Sequence, residues 1–260
     1  MNRIGGTAAI IFALAVGEVT AAAQQCATDE QMERVLSELQ RITLMLQNSP
    51  SFRPPTAAVA RASVNVGNAP SMGVDSAPAS IVEFMDFECP YCKRFYTQAF
   101  KYLKEQYIDS GKVRFYVIDY PLAIHSKALL AAQAGRCASD QGHFWPMFDS
   151  LELETTPLDT DQLDQLAKSS GLEVGAFQEC LASRRHEQEI LAAVREVTSK
   201  GIHATPTFLV GTATTKDIVE GELVIGAVPL GVLQGKINAI LDPKSVPAAS
   251  PTNGSGKRVP

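Results

Sequence analysis

The chain has 260 residues, 45% hydrophobic and 20% charged, with a mean hydropathy of +0.01. That suits an ordinary globular chain with one full core or two small ones, and excludes a disordered one. Net charge is −5 and the isoelectric point about 5.4, so a basic footprint for nucleic acid is missing. No apolar stretch approaches the roughly 18–20 residues of a transmembrane helix.

The N-terminus reads as a targeting signal. Arg3 is a short positive region, Thr7 to Val16 an apolar one, and Ala21-Ala22-Ala23 a small-residue cleavage site before Gln24. The alternative is a buried N-terminal helix. Cys26 follows Gln24-Gln25, which is no lipidation site. Cleavage near Ala23 implies a periplasmic or otherwise extracytoplasmic protein, with Cys26, Cys89, Cys92, Cys137 and Cys180 in an oxidising compartment.

Residues 24–58 read as a helix and a linker. Thr28 and Gln31 form a capping box that opens a helix to about Gln47, and Asn48 to Pro55 cannot continue it. Met32, Val35, Leu39, Ile42 and Leu46 are spaced +3, +4, +3, +4, as in a heptad seam. Such a stripe must be buried against its own domain or a second copy, and the odd Cys26 tips the expectation to a homo-oligomer through residues 28–47.

Residues 59–241 read as one α/β domain. Strands are expected near Val59–Val66 and over Ile81–Phe87, then a helix from Tyr91 to about Tyr107 and a strand over Val113–Tyr120. A helical insertion follows at about 126–200. Short strands at Thr207–Val210 and Ile218–Glu220 and a helix opened by Pro229 complete it. Residues 242–260, rich in Pro, Ser and Gly, read as a disordered tail.

Cys89-Pro90-Tyr91-Cys92 stands where a strand hands over to a helix. Thiol–disulfide exchange needs two sulfurs within bonding reach, one of them easily ionised. At a helix start the first Cys meets unpaired N–H groups that favour its thiolate, and the second lies one turn inside. Pro90 fits the first helical position, which needs no N–H donor. A zinc half-site would require two further ligands, and neither a second C-x-x-C nor an H-x-x-x-H is present. A structural bridge closing four residues would add only about 2 kcal/mol. The expected site is therefore redox-active, with no metal and no cofactor.

VEFMDFECPYCKRF (82–95), ATPTFLVG (204–211) and the helical block between them resemble the exported DsbA-like thiol:disulfide oxidoreductases of the thioredoxin superfamily. The similarity covers roughly residues 60–241. It implies a thioredoxin fold with a helical insertion, here preceded by an N-terminal helix. It further implies a cis bond at Thr205-Pro206 beside the disulfide, where Thr205, Pro206, Pro90 and Tyr91 meet an extended substrate. Glu83, six residues before Cys89, matches the family's buried acid, which moves a proton to or from Cys92. An exposed strand-end Glu is the alternative. Tyr91 departs from the strongest oxidants of the family, which carry His there; a phenol cannot supply a positive charge, so a moderate oxidant is expected.

Cys137 follows Leu130 and Ala134 on one helical face, and Cys180 follows Phe177 on another. Two isolated thiols are less expected after export than a Cys137–Cys180 bridge. His125 reads as a capping or loop residue, and Phe144, Trp145 and Phe148 as core. Three functions stay open: an oxidase acting on unfolded or cysteine-containing exported proteins and recharged by a membrane redox partner; an isomerase or reductase kept reduced by a membrane donor; and a non-enzymatic chaperone module.

Overall fold

The computed structural model describes residues 33–41 and 60–244. The expected signal, Cys26, the ends of the 28–47 helix, the linker and residues 245–260 lie outside these. The chain divides into two units between Ala58 and Val59. In the first, residues 33–41 form helix α1 with Val35 and Leu36 more than half exposed.

The second unit is built on a mixed sheet. Its strands are β1 (Arg61–Asn65), β2 (Ser71–Met72), β3 (Ala79–Met85), β4 (Val113–Asp119), β5 (Thr207–Thr215) and β6 (Ile218–Ile225). They lie in the order β1-β6-β5-β3-β4-β2. Only β3 and β4 run parallel, joined by a helical crossover; β5 returns antiparallel on the other side of β3. All seven residues of β3 are buried, because helices cover both faces of the sheet, so its sequence is a continuous apolar run rather than an alternating one. Ile81 and Met85 join the core that holds Cys89, Cys92, Phe95 and Phe148. Val82 and Phe84 face the second core with Val197 and Ile202. The strand period therefore puts Glu83 on the face of Ile81 and Met85.

Helix α2 starts at Pro90 and continues to Ile108, one residue earlier and one later than the sequence suggests. It is not uniform. Residues Tyr96–Phe100 and Lys104–Ile108 are wound as π-turns. A regular helix with Phe95, Ala99 and Leu103 inward would turn Phe100 and Ile108 away from that stripe. The wider turns advance the phase, and both the Ala99–Phe100 and Tyr107–Ile108 neighbours are buried.

The insertion comprises α3 (Ala128–Asp140), α4 (Phe144–Leu153), α5 (Thr160–Ser169), α6 (Val174–Ser183) and α7 (Glu187–Ser199); α8 (Leu230–Leu241) closes the domain. Asp159 and Glu173 cap α5 and α6 by accepting from the N–H groups of Gln162 and Ala176. Arg136 Nε of α3 donates to the buried Asp119 carboxylate of β4 at 2.5 Å, fastening the insertion to the sheet. No helix among the described residues is long and apolar enough to cross a membrane.

The late strands are longer than the sequence suggests: the hairpin extends over Thr207–Thr215 and Ile218–Ile225. Gly211 lies opposite Gly221, and a Cβ on Gly211 would sit 1.9 Å from the Glu220 carbonyl oxygen. The glycines that hide the strands from a propensity reading are what lets them approach.

Candidate redox site

The topology brings two distant segments to one end of the sheet. Cys89 and α2 follow β3, and Phe84 of β3 pairs with Thr207, the first residue of β5. The two residues before Thr207 therefore project past the end of the β3–β5 ladder, beside the start of α2. These are Thr205 and Pro206, joined by a cis peptide bond.

Cys89 is the N-cap of α2, in extended conformation, with Pro90 at the first helical position. Its N–H donates to the Asp86 carbonyl at 2.9 Å and its own carbonyl accepts from Lys93 N–H at 3.2 Å. Its Sγ lies 3.4 Å from the Thr205 carbonyl oxygen. Cys89 and Cys92 are both free thiols, both buried. Hydrogen bonding from the Cys92 thiol pulls the Cys89 pKa down to about 5; contact with Thr205 and the N–H groups of Cys92 and Tyr91 adds to this, against burial. At pH 7 that leaves the thiolate in roughly hundredfold excess over the thiol. Burial pushes Cys92 well up, helped by its bond to Cys89 and by the Glu83 charge. One sulfur is thus poised as a nucleophile and its neighbour is held protonated.

Glu83 is buried at 3% exposure. Burial raises its pKa well above the carboxylate range, and the charges of Glu152 and Cys89 raise it further. Pro90 and Tyr91 are exposed, and the Arg94 guanidinium lies 5.0 Å from the centre of the Tyr91 ring. Pro206 O accepts from Gly226 N–H at 2.8 Å. In the helical insertion, Cys137 of α3 and Cys180 of α6 are joined in a disulfide.

Other residues tie the site together without having stood out in the sequence. The buried Asp86 accepts from Glu88 N–H and Leu122 N–H, each at 2.8 Å, and holds His125 Nδ1 at 2.7 Å. Burial works against the His125 imidazolium, but the bond to Asp86 outweighs it and raises the pKa. His125 is thus more than a loop residue: it fastens the segment before α3 to the turn that carries Cys89. Lys93 Nζ donates to the carbonyls of Leu151 and Glu154, at 2.6 and 2.8 Å, linking α2 to the end of α4. Glu152, between those two carbonyls in sequence, is itself buried. Its placement was readable: it lies four residues after the core residue Phe148.

A thioredoxin-type sheet with a helical insertion, and a C-x-x-C helix start facing a cis-proline, define the DsbA-like architecture. The comparisons agree. The family model described as Thioredoxin matches residues 65–222, more than half of the chain. Disulfide bond formation protein D of Bacillus subtilis is 31% identical over 167 residues, covering 58% of this chain and 71% of that protein. The crystal structure of oxidised BdbD from Bacillus subtilis superimposes with a TM-score of 0.57 at 26% identity, covering 66% of this chain and 92% of that one. The Na(+)/H(+) antiporter NhaA 3 of Salinispora tropica is 36% identical over 139 residues, 53% of this chain, which spans only 21% of that protein's length. The chain belongs to the thioredoxin family, among its DsbA-like thiol:disulfide oxidoreductases.

Proposed function

We propose that this protein is an exported thiol:disulfide oxidoreductase that introduces disulfides into extracytoplasmic proteins through the Cys89–Cys92 pair. The observation that carries this reading is the asymmetry of the two thiols: Cys89 drawn down to about 5 by hydrogen bonding from Cys92 at the helix start, Cys92 buried and pushed up. A low-pKa sulfur is both an able nucleophile and an able leaving group, and stabilising the reduced form makes the disulfide more oxidising.

A substrate thiolate attacks Cys89 Sγ of the oxidised pair, and the electron pair of the broken S–S bond leaves on Cys92, which is protonated. A second substrate thiolate then attacks the substrate sulfur of the mixed disulfide and expels Cys89 as a thiolate. Two electrons have passed to the enzyme, and a membrane redox partner takes them on. Glu83 serves as proton donor to Cys92. Thr205, Pro206, Pro90 and the exposed Tyr91 form the surface met by the substrate segment, next to a cleft of about 430 Å³ that Arg94, Phe95, Val228 and Pro229 help to line. The Cys137–Cys180 disulfide is structural.

Electron flow toward an oxidised partner distinguishes this reading from an isomerase or reductase kept reduced in the cell. Trapping the in-cell state of Cys89 and Cys92 by alkylation tests it: a disulfide is expected, and a dithiol at steady state would reverse the direction. The half-exposed Val35 and Leu36 of α1, with the heptad spacing around them, support a homo-oligomer through residues 28–47; light scattering on the mature chain should give a mass above the monomer.

A further inference from the structure

Glu152 has no role in the scheme above, yet it is placed inside its compartment. It lies on α4 four residues after Phe148, hence on the same face of that helix. Phe148 packs on Phe87, two residues before Cys89, and on Tyr96 and Phe100 of α2, with ring centres 5.7–6.0 Å apart. Met147, Phe148 and Leu151 belong to one core with Ile81, Met85, Cys89 and Cys92, the core that the strand period assigns to Glu83. Glu152 is 2% exposed, and neither carboxyl oxygen has a hydrogen-bond partner among the described residues. Lys93, whose charge acts on Glu152, donates its ammonium to the Leu151 and Glu154 carbonyls instead. A buried carboxyl so placed is costly to ionise and has no structural bond to justify it.

We propose that Glu152 is a second proton-holding carboxyl of the redox centre, supplied by the helical insertion, which shares the compartment of Glu83 and takes up a proton when the Cys89–Cys92 pair is reduced. This rests on the redox function proposed above. Glu152 acts through charge: it feels the Cys89 thiolate directly, and its own charge is felt at Glu83. Burial lifts its pKa to about 8; Lys93 opposes this, while Cys89 and Asp86 add to it, and its charge in turn raises Glu83. Among the other titratable groups of this region, Cys92, Glu88 and Glu154 bear with Glu152 on Lys93, Tyr96 feels both Glu152 and Asp149, and His125 is held on Asp86.

Reduction puts two electrons into the S–S bond, leaving Cys89 as a thiolate and Cys92 as a thiol that has taken one proton. The new charge on Cys89 makes ionised Glu152 less favourable than in the disulfide form. Below about pH 8 the reduced centre therefore takes a further fraction of a proton onto Glu152, and oxidation by the membrane partner releases it.

The test is the equilibrium of the full mature chain with glutathione between pH 6 and 8.5, corrected for glutathione's own ionisation. One proton per two electrons changes the equilibrium constant tenfold per pH unit. The wild type is expected to exceed tenfold per unit just below pH 8, and Glu152→Gln to return to tenfold with the Cys89 titration near 5 unmoved, since Glu152 is neutral there. A merely structural Glu152 would not move that slope. A wild-type slope of tenfold throughout overturns the assignment whether or not the variant folds, as does a Glu152→Gln slope equal to a steeper wild-type one. Failure of the pair to exchange with glutathione at all would overturn the redox function itself, and the proton assignment with it.

Discussion

Two cysteine pairs in this chain experience opposite surroundings. Cys137 and Cys180 lie on facing helices of the insertion and are bonded to each other, with the Asp140 carboxylate 3.6 Å from Cys180 Sγ and His186 beside the pair. Cys89 and Cys92 lie at the junction of a buried strand and a helix, both thiols free, amid backbone N–H groups, a carbonyl and buried acids. All four are almost inaccessible to solvent. Burial therefore does not decide which sulfurs react. What differs is whether the fold supplies groups that hold a negative charge on one sulfur and a proton on its neighbour.

The largest expected effect comes from breaking the asymmetric pair. Cys89→Ala should abolish oxidation of a reduced substrate protein, whereas Cys92→Ala should keep the nucleophile but cannot store the electrons as a dithiol. With an oxidised substrate or glutathione, Cys92→Ala should accumulate a mixed disulfide on Cys89, visible on non-reducing gels. A mixed disulfide forming instead on Cys92 of the Cys89→Ala variant would invert the assignment.

Breaking the other pair should do the reverse. The Cys137→Ala/Cys180→Ala double variant opens a loop with a sequence separation of 43. It should lose about 4 kcal/mol in urea unfolding on the chain-entropy account. Its Cys89 titration should remain near 5. A displaced titration would mean that the insertion's bridge tunes the redox centre.

These regions were unequally legible in the sequence. The C-x-x-C helix start and Thr205-Pro206 were visible because each requires residue types at fixed spacing. The core positions of β3 and the helical block followed from continuous and 3.6-period apolar patterns. The π-turns of α2 were not visible, since the pattern of Phe95, Ala99 and Leu103 is also that of a regular helix and only packing against the sheet selects the wider turns. The β5–β6 hairpin was underestimated because its glycines lower strand propensity while permitting close contact. The Asp86–His125 link joins residues 39 apart in the chain, and no local pattern encodes it. Glu152 was half legible: its register pointed inward, but a Glu in a Glu-rich stretch reads as a solvated face.

A smaller effect is expected at Glu152. Its folded pKa of about 8 lies above the ordinary 4.5, so the native state binds the extra proton and loses stability as pH rises between those values. Glu152→Leu removes that burden. It should raise stability by about 1–3 kcal/mol at pH 8.5, and by less at pH 6. A loss of stability at both pH values would mean that the carboxyl has a bonding partner in solution.

The smallest effect concerns the dipeptide between the sulfurs. Tyr91→His places an ionisable group on the exposed side of Cys89, near Arg94. It should lower the Cys89 pKa by at most about one unit and make the pair more oxidising by at most about 30 mV. A shift in the opposite direction would show that the Tyr91 ring, with Arg94 over it, holds the thiolate better than an imidazole does.

Cys89 and Cys92 divide the proposed redox work between a nucleophile and a proton-bearing partner, and alkylation of the fully reduced chain as a function of pH, resolved by peptide mass, reads that division. Cys89 is expected to react with an apparent pKa of about 5, while Cys92 stays unmodified through neutral pH in the folded protein. Cys89 titrating near 8.5, or Cys92 reacting first, would contradict the account.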